Sequence, residues 1–186
     1  MKLLVMCEGP NELEIMKILL RHRCLKFTND DLLNLVPYHA RQISNSGMVQ
    51  AALNLYPDKV KVLRIGDSLN EKLKIPKNYE NKIMKVEKYC TKPELEMLLI
   101  IAEHMVSEFD KVKSNKKPKQ FAKEKIKCNR KRYDNSSKFY AEYFDGNVQL
   151  LVDSIREYKR VRGTHKKDEL YLADLLREDM ESLIYY

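Results

Sequence analysis

Two short apolar runs in the first half of the chain have the pattern of buried β-strands. They are residues 2–7 (KLLVMC) and residues 59–65 (KVKVLRI). Residues 11–20 and 46–56 instead repeat apolar side chains every three to four positions, which predicts amphipathic helices. Asn11 is the expected N-cap of the first helix, because its side chain can accept a hydrogen bond from a free backbone N–H.

Two weaker runs, at residues 35–40 and 83–89, predict further strands. Pro37 would confine the first of them to a sheet edge, because proline has no backbone N–H to pair. Strands that alternate with helices in this way are typical of a largely parallel sheet joined by crossover helices. We therefore expect an α/β fold in which residues 1–110 form the core and helices flank a central sheet.

The second half of the chain is predicted to be helical. Residues 91–109 read as a long apolar helix, with Thr91 as its N-cap and Pro93 in its first turn. Further helical patterns lie at residues 118–127, 148–158 and 169–184. We expect residues 111–186 to form a basic, helical C-terminal extension that packs on the core.

The composition is that of an ordinary folded protein. Of the 186 residues, 44% are hydrophobic and 33% charged, with 5 Gly and 6 Pro, which disfavours disordered, collagen-like and many-turned all-β chains. No apolar run reaches the roughly 20 residues of a membrane span, and the run before Glu8 is too short for a signal peptide. The four cysteines are scattered without a CxxC pair, which disfavours structural zinc. We therefore expect a cytoplasmic protein with reduced thiols and no membrane partner.

The net charge of +8 is concentrated in residues 111–132, the basic segment. This segment contains eleven basic residues and one acid, which gives it a net charge of +10, so the other 164 residues carry −2. Clustering of this kind is the usual electrostatic footprint of nucleic-acid binding, because each neutralised phosphate releases counterions. The candidate nucleic-acid-binding residues are Lys113, Lys116, Lys117, Lys119, Lys123, Lys127, Arg130, Lys131 and Arg132.

Aromatic residues lie in and beside the basic segment. They could stack on unpaired bases, or they could pack into the core of the protein. Phe139 with Tyr143, and Tyr140 with Phe144, have the i,i+4 spacing of ordinary helix packing, which favours the second interpretation.

Acidic residues follow the two best-defined strands, Glu8 after the first and Asp67 after the second. If these strands are neighbours in a parallel sheet, the two carboxylates lie side by side at one edge. Oxygen ligands suit Mg²⁺ or Mn²⁺, and such an ion could bind phosphate and activate water for phosphodiester hydrolysis. The alternative is two solvated loop acids. Arg64, before Asp67, could form a structural ion pair or contact phosphate.

The sequence Glu8-Gly9-x-x-Glu12 after an apolar strand resembles the first motif of the TOPRIM fold. That fold is shared by primases, topoisomerases, the small maturase of ribosomal RNA and the overcoming-lysogenization-defect (OLD) nucleases. The resemblance covers residues 1–105 and implies that Glu8 is a catalytic or metal-binding residue and that Glu12 orients the site or contacts the metal. It also implies that Asp67 is the first acid of the family's Asp-x-Asp motif, which holds the divalent ion. The second acid of that motif is replaced by Leu69, and Glu71 is the nearest substitute.

A later stretch is similar to the small TOPRIM-like proteins of bacterial defence loci, including the RloB-like group. Those proteins carry a Pro-x-x-Glu sequence before an apolar helix, and Pro93-Glu94-Leu95-Glu96 followed by Met-Leu-Leu fits that pattern. The resemblance implies that Glu96 completes the metal site with Glu8 and Asp67. Without a metal, Glu96 would only oppose the dipole of the helix that it begins.

Together these features predict a Mg²⁺- or Mn²⁺-dependent TOPRIM-like nuclease acting on DNA or RNA, with a role in phage defence implied by the resemblance alone. Glu8, Glu12 and Asp67 are the expected catalytic residues, and Glu8, Asp67 and Glu96 the expected metal ligands. One alternative is a nucleic-acid-binding module without activity. Another is an interaction subunit whose basic segment docks on an acidic partner. That partner could be the acidic C-terminal tail of another copy (residues 168–186), in a homo-oligomer, or a separate ATPase. The sequence has no Walker-type phosphate-binding loop, so any ATP dependence would come from a partner.

Overall fold

A parallel β-sheet with helices on both faces forms the fold. The computed structural model describes residues 1–67, 71–92, 94–161 and 170–179. Within these ranges the strands and helices are, in chain order, β1 (Lys2–Cys7), α1 (Pro10–Arg21), β2 (Tyr38–His39), α2 (Gly47–Leu55), β3 (Val60–Gly66), β4 (Ile83–Cys90), α3 (Met97–Ala102), α4 (Val106–Asp110), α5 (Pro118–Lys125), β5 (Lys127–Cys128), β6 (Lys131–Arg132), α6 (Ser137–Phe144), α7 (Val148–Val161) and β7 (Leu170–Tyr171).

The central sheet of the described residues has the strand order β2-β1-β3-β4-β7, and every neighbouring pair is parallel. β1 and β3 pair along the whole of β1, from Lys2 opposite Val60 to Cys7 opposite Ile65. The expected α/β class with a largely parallel sheet is therefore confirmed. β2 lies at the sheet edge, the position that Pro37 predicts.

The direction in which the chain crosses the sheet changes at β1. From β1 the chain passes to β2 on one side, and it then returns past β1 to β3 on the other side. When the connections of two neighbouring strands leave in opposite directions, a crevice opens at their carboxyl ends, and open α/β sheets bind ligands in that crevice. Glu8 and Asp67 follow β1 and β3 at this edge.

Alternate residues of the strands pack into two separate cores. In β1, Val5 and Cys7 belong to the core formed with α1, α3, α5, α6 and α7. Leu4 and Met6 belong to the core on the other face, formed with α2. Burying aliphatic side chains of this size stabilises the fold by about 1.5–3 kcal/mol each. Because both faces are covered, the strand is apolar almost throughout, as its sequence pattern indicated.

The long helix expected over residues 91–109 is two short helices instead. α3 begins only at Met97, and α4 begins at Val106 after a break at His104, whose φ is 56°. A left-handed residue ends an α-helix, because the backbone leaves the conformation that the hydrogen-bond ladder requires. Thr91 caps no helix; its N–H donates to the Gly66 carbonyl oxygen at 3.0 Å and extends the pairing of β4 with β3. Pro93 lies outside the described residues.

Two predicted helix ends were also wrong. The N-cap of α1 is Gly9, not Asn11, and Pro10 occupies the first turn. α5 ends at Lys125, because the chain turns there into the hairpin formed by β5 and β6.

The helix expected over residues 169–184 is absent from its described part. Residues 170–171 form β7, which pairs with β4, and a short 3-10 turn follows at Leu172–Leu175. The C-terminal half therefore adds a strand to the central sheet as well as helices. The domain boundary at residue 110 stays a prediction. None of the helices in the described part of the chain has the length and apolar character that a membrane crossing requires.

Candidate functional site

The acids that follow β1 and β3 belong to neighbouring strands. Cys7 is paired with Ile65, and the N–H of Glu8 donates to the carbonyl oxygen of Ile65 at 2.9 Å. Glu8 and Asp67 therefore leave the same edge of the sheet, which is the condition on which the predicted metal site depends.

The Glu8 carboxylate is enclosed by Arg64 and Gly66. Only 5% of the Glu8 side chain and 1% of the Arg64 side chain are exposed, and Oε1 of Glu8 lies 3.4 Å from Nη2 of Arg64. Arg64 also donates to the carbonyl oxygens of Glu71 at 2.6 Å and Arg41 at 3.5 Å. A Cβ atom on Gly66 would lie 2.3 Å from Oε2 of Glu8, so glycine is needed to leave room for this carboxylate. Glu8 is a buried, paired acid, and the alternative of a solvated loop acid is wrong for it.

Glu12 lies in the first turn of α1 and folds back over Gly9, where a Cβ atom would be 2.5 Å from its Oε2. Burial raises the pKa of Glu12 to about 7, and the charges of Asp67, Glu8 and Glu96 add to the rise, although a hydrogen bond from its own backbone N–H opposes it. All three acids therefore lie close enough to act on the Glu12 charge. Near neutral pH this carboxyl group is about half protonated.

Glu96 reaches the same edge just before α3 and is held by a tyrosine that follows the basic segment. The hydroxyl of Tyr133 donates to Oε1 of Glu96 at 2.7 Å, and the hydroxyl of Tyr140 lies 3.2 Å from that of Tyr133. Burial raises the pKa of Glu96, while the Tyr133 hydrogen bond and the charge of Lys119 lower it. Burial also raises the pKa of Tyr133, so its hydroxyl remains a donor at neutral pH. Lys119 ties the basic segment electrostatically to the acids.

The donor chemistry of this edge fits Mg²⁺ or Mn²⁺. All four acids offer carboxylate oxygens, which these ions prefer, and a cation would relieve the repulsion that adds to the effect of burial on the Glu12 pKa. In the part of the chain that the structure describes, no three His, Cys, Asp or Glu side chains already stand close enough to hold one ion together. Glu8 faces Arg64 and Glu96 faces Tyr133, so the ligand geometry is not preformed.

The substitute considered for the missing acid of the Asp-x-Asp motif has a different partner. Oε1 of Glu71 accepts a hydrogen bond from Nε2 of Gln42 at 2.9 Å, and the Glu71 side chain is exposed. Leu69 lies outside the described residues. Nothing in these contacts brings the Glu71 carboxylate to the other acids.

The basic segment forms α5, the β5–β6 hairpin and the loops beside them. Three of its lysines pair with nearby acids, namely Lys113 with Asp110, Lys116 with Glu124 and Lys125 with Glu108. Lys119 is half-buried. The exposed members that form no ion pair with another described residue are Lys111, Lys117, Lys123, Lys127, Arg130, Lys131 and Arg132. Six of the nine predicted nucleic-acid-binding residues therefore present a free positive charge.

The aromatic residues beside the basic segment pack into the core. The ring of Phe139 stacks on that of Tyr143, with centroids 5.9 Å apart, and Tyr140 stacks on Phe144 at 6.4 Å. Residues 121–144 contain six aromatic side chains, and all of them except Tyr143 are buried, namely Phe121, Tyr133, Phe139, Tyr140 and Phe144. The helix-packing interpretation is confirmed, and these five rings offer no surface on which bases could stack.

Two side chains that hold the acids, Arg64 and Tyr133, were not among the residues predicted for the site. Arg64 forms a structural ion pair, which was one of the two roles expected for it. The sequence feature that could have pointed to it is a single arginine within an apolar strand. Tyr133 had no such signal, because its partner Glu96 is 37 positions away along the chain.

Comparison of this chain with protein-family models, with curated proteins and with solved structures found no match.

Proposed function

We propose that this chain is a metal-dependent, TOPRIM-like nuclease that hydrolyses phosphodiester bonds in nucleic acid. The observation that carries the proposal is the raised pKa of Glu12, which burial causes first and the charges of Asp67, Glu8 and Glu96 increase, so that acids from three segments of the chain gather at one edge of the sheet. Such a gathering costs stability unless a cation compensates it, and perturbed carboxyl groups in a crevice are typical of functional sites. The edge is also the switch point at which open α/β sheets bind ligands.

Glu8, Asp67 and Glu96 would hold the Mg²⁺ or Mn²⁺ ion. When bound, such an ion supplies positive charge to a phosphate and lowers the pKa of a bound water. The oxygen-only donor set supports this assignment, and so does the Glu8-Gly9-x-x-Glu12 resemblance to the TOPRIM fold.

The remaining residues of the edge would position the acids and move a proton. With a pKa of about 7, Glu12 can take up and release a proton at neutral pH, as a general base and acid must. Arg64 fixes the orientation of the Glu8 carboxylate, and Tyr133 fixes that of Glu96. The free charges of the basic segment would bind the nucleic-acid backbone beside these acids. A role in phage defence, an ATPase partner and self-association remain predictions.

The test is cleavage of plasmid DNA, linear DNA and tRNA in the presence of Mg²⁺ or Mn²⁺, with EDTA as the metal-free control. We expect the protein to cleave at least one substrate, and Glu8→Gln and Asp67→Asn each to lose about a hundredfold in rate or more. Glu14→Gln is the matched control, because Glu14 lies on α1 but takes no part in the cluster around Glu12. The proposal would be refuted if the protein cleaved none of the substrates, or if Glu8→Gln and Asp67→Asn cleaved as fast as the wild type.

A nucleic-acid-binding module without catalysis is the second candidate function. The Glu8–Arg64 ion pair favours it, because a buried guanidinium already compensates the acid that a metal would need. This candidate predicts binding that weakens steeply with salt, is unchanged by EDTA and leads to no cleavage.

A further inference from the structure

The β5–β6 hairpin is an exposed and strongly basic projection with a buried base. Its strands pair antiparallel, with Lys127 opposite Arg132. The N–H of Tyr133 donates to the carbonyl oxygen of Ile126 at 3.0 Å, and both of these side chains are buried in the core. On the hairpin itself every side chain except that of Cys128 is exposed. The position of the hairpin is therefore fixed by its base while its tip faces solvent.

The turn at the tip has an unfavourable residue at its second position. Asn129 and Arg130 have φ values of 48° and 68°, so both central residues of this two-residue turn are left-handed, as in a type I′ turn. Asparagine tolerates this conformation, whereas the second position strongly prefers glycine. An arginine there opposes the local preference of the chain, and such conflicts concentrate at functional positions.

The charge of the hairpin suits a polyanion. Four of its six residues are basic, namely Lys127, Arg130, Lys131 and Arg132, and none of them pairs with an acid among the described residues. Single-stranded nucleic acid is usually held by stacking on exposed aromatic rings. The nearby rings of Tyr133, Phe139 and Tyr140 are buried, so recognition must depend on backbone charge and groove shape.

The dimensions of the hairpin match the major groove of B-form DNA. Two paired strands stand about 4.8 Å apart, and three residues from base to tip extend about 10 Å. The major groove is about 12 Å wide and about 8.5 Å deep, and it admits a two-stranded β-ribbon. The major groove of A-form RNA is deep and narrow, and side chains do not reach into it.

We propose that the β5–β6 hairpin enters the major groove of duplex DNA, with Arg130 at its tip. The proposal rests on the proposed nucleic-acid function and deepens it, because it names duplex DNA as the ligand of the basic segment. Arg130 contacts the phosphate or base edges inside the groove, and Lys127, Lys131 and Arg132 contact the phosphates at its rim.

The test measures binding of the full chain, in EDTA, to duplex DNA, to single-stranded DNA and to double-stranded RNA of the same sequence. We expect duplex DNA to bind about tenfold more tightly than the other two at about 0.1 M salt. Arg130→Gly should weaken duplex binding about fivefold to tenfold and reduce the salt slope by about 1. The same substitution should hold or raise the melting temperature, because Asn-Gly is the preferred sequence for this turn.

Two control variants separate the role of the Arg130 charge from turn geometry and from net charge. Asn129→Gly changes the same turn without removing a charge, and Lys77→Ala removes an exposed charge from a turn outside the basic segment; both should bind duplex DNA as the wild type does. The proposal would be overturned if Arg130→Gly bound duplex DNA as tightly as the wild type, or if either control variant lost as much affinity as Arg130→Gly. It would also be overturned if the wild type bound double-stranded RNA or single-stranded DNA as tightly as duplex DNA.

Binding in EDTA does not depend on cleavage, so the two proposals can fail separately. Loss of duplex affinity in Arg130→Gly in a protein that cleaves nothing would support the hairpin and refute the nuclease. Unchanged affinity in a protein that needs Glu8 and Asp67 for cleavage would do the reverse.

Discussion

Glu12→Gln removes a carboxyl group that the fold keeps protonated to unusually high pH. Burial, and then the charges of Asp67, Glu8 and Glu96, raise its pKa from 4.5 to about 7. Below pH 4.5 the folded and unfolded chains are both protonated at this residue, so its effect on stability is nil. Between pH 4.5 and 7 only the unfolded chain loses the proton, and the free energy of unfolding falls by about 1.4 kcal/mol per pH unit. Above pH 7 the full loss of about 3 kcal/mol is reached, an upper bound because water screens the half-buried site.

The assay is urea denaturation of wild type and Glu12→Gln from pH 4.5 to 8.5, in EDTA so that no divalent ion takes part. Glutamine has nearly the same size as glutamate and carries no titratable proton. We therefore expect the variant to gain stability over the wild type as pH rises, by about 2–3 kcal/mol at pH 8 relative to pH 4.5. Other titrating groups cancel because the comparison is between two proteins at each pH.

Glu14→Gln is the control on the same helix. Its difference from the wild type should not follow the pH dependence of Glu12→Gln, because Glu14 is not among the acids that act on Glu12. If the difference between wild type and Glu12→Gln is also flat from pH 4.5 to 8.5, neither burial nor the neighbouring acids raise the pKa of Glu12 as described. The nuclease proposal would then lose the observation that carries it.

Three further substitutions test individual contacts. Gly66→Ala would place a Cβ atom 2.3 Å from Oε2 of Glu8 and should lower the free energy of unfolding by about 1–3 kcal/mol in urea; an unchanged value would mean that Glu8 has room to move. Tyr133→Phe removes the hydroxyl that donates to Glu96 and should lower the free energy of unfolding by about 1–3 kcal/mol in the same assay. No loss would refute that contact. Despite partial burial, hydrogen bonds from two lysines and a tyrosine hold the pKa of Glu87 at about 2. Its contribution to the free energy of unfolding is present above pH 4.5 and is lost as the pH falls to 2. Glu87→Gln should therefore reduce the loss of stability between pH 4.5 and 2 by about 1–2 kcal/mol, after allowance for screening by water. An equally large loss in the variant would contradict this.

The central strands could be predicted because the local pattern and the tertiary structure agree there. β1 and β3 are covered on both faces, so nearly every position is apolar, and a short continuous apolar run indicates such a strand. β7 could not be predicted in this way. It has two residues, and its only strand-like property is that Leu170 and Tyr171 lie opposite Tyr89 and Cys90. A pairing between distant residues leaves no periodic signal in two positions.

The break between α3 and α4 shows the same limit for helices. Residues 97–109 have the apolar content of one helix, but His104 adopts a left-handed conformation that few side chains other than glycine favour. The local pattern therefore predicted one continuous helix, whereas in the fold the helix ends before His104 and α3 packs against α7. The contact between Tyr133 and Glu96 could not be predicted for the same reason, because the two residues meet only in the folded chain.

Three acids of the edge, Glu8, Glu96 and Glu12, are compensated in three different ways. A guanidinium faces Glu8, a hydroxyl faces Glu96, and a proton neutralises much of Glu12 at neutral pH. Separating a buried ion pair costs several kcal/mol, and a tyrosine hydroxyl is also fixed in place, but a proton exchanges freely with water. Of the three compensating groups, the proton is therefore the one that an entering cation replaces at least cost. Protonation of Glu12 and binding of a divalent ion are alternative ways to neutralise a carboxylate that is buried and lies near other acids, so a divalent ion bound at this edge would compete with the proton on Glu12.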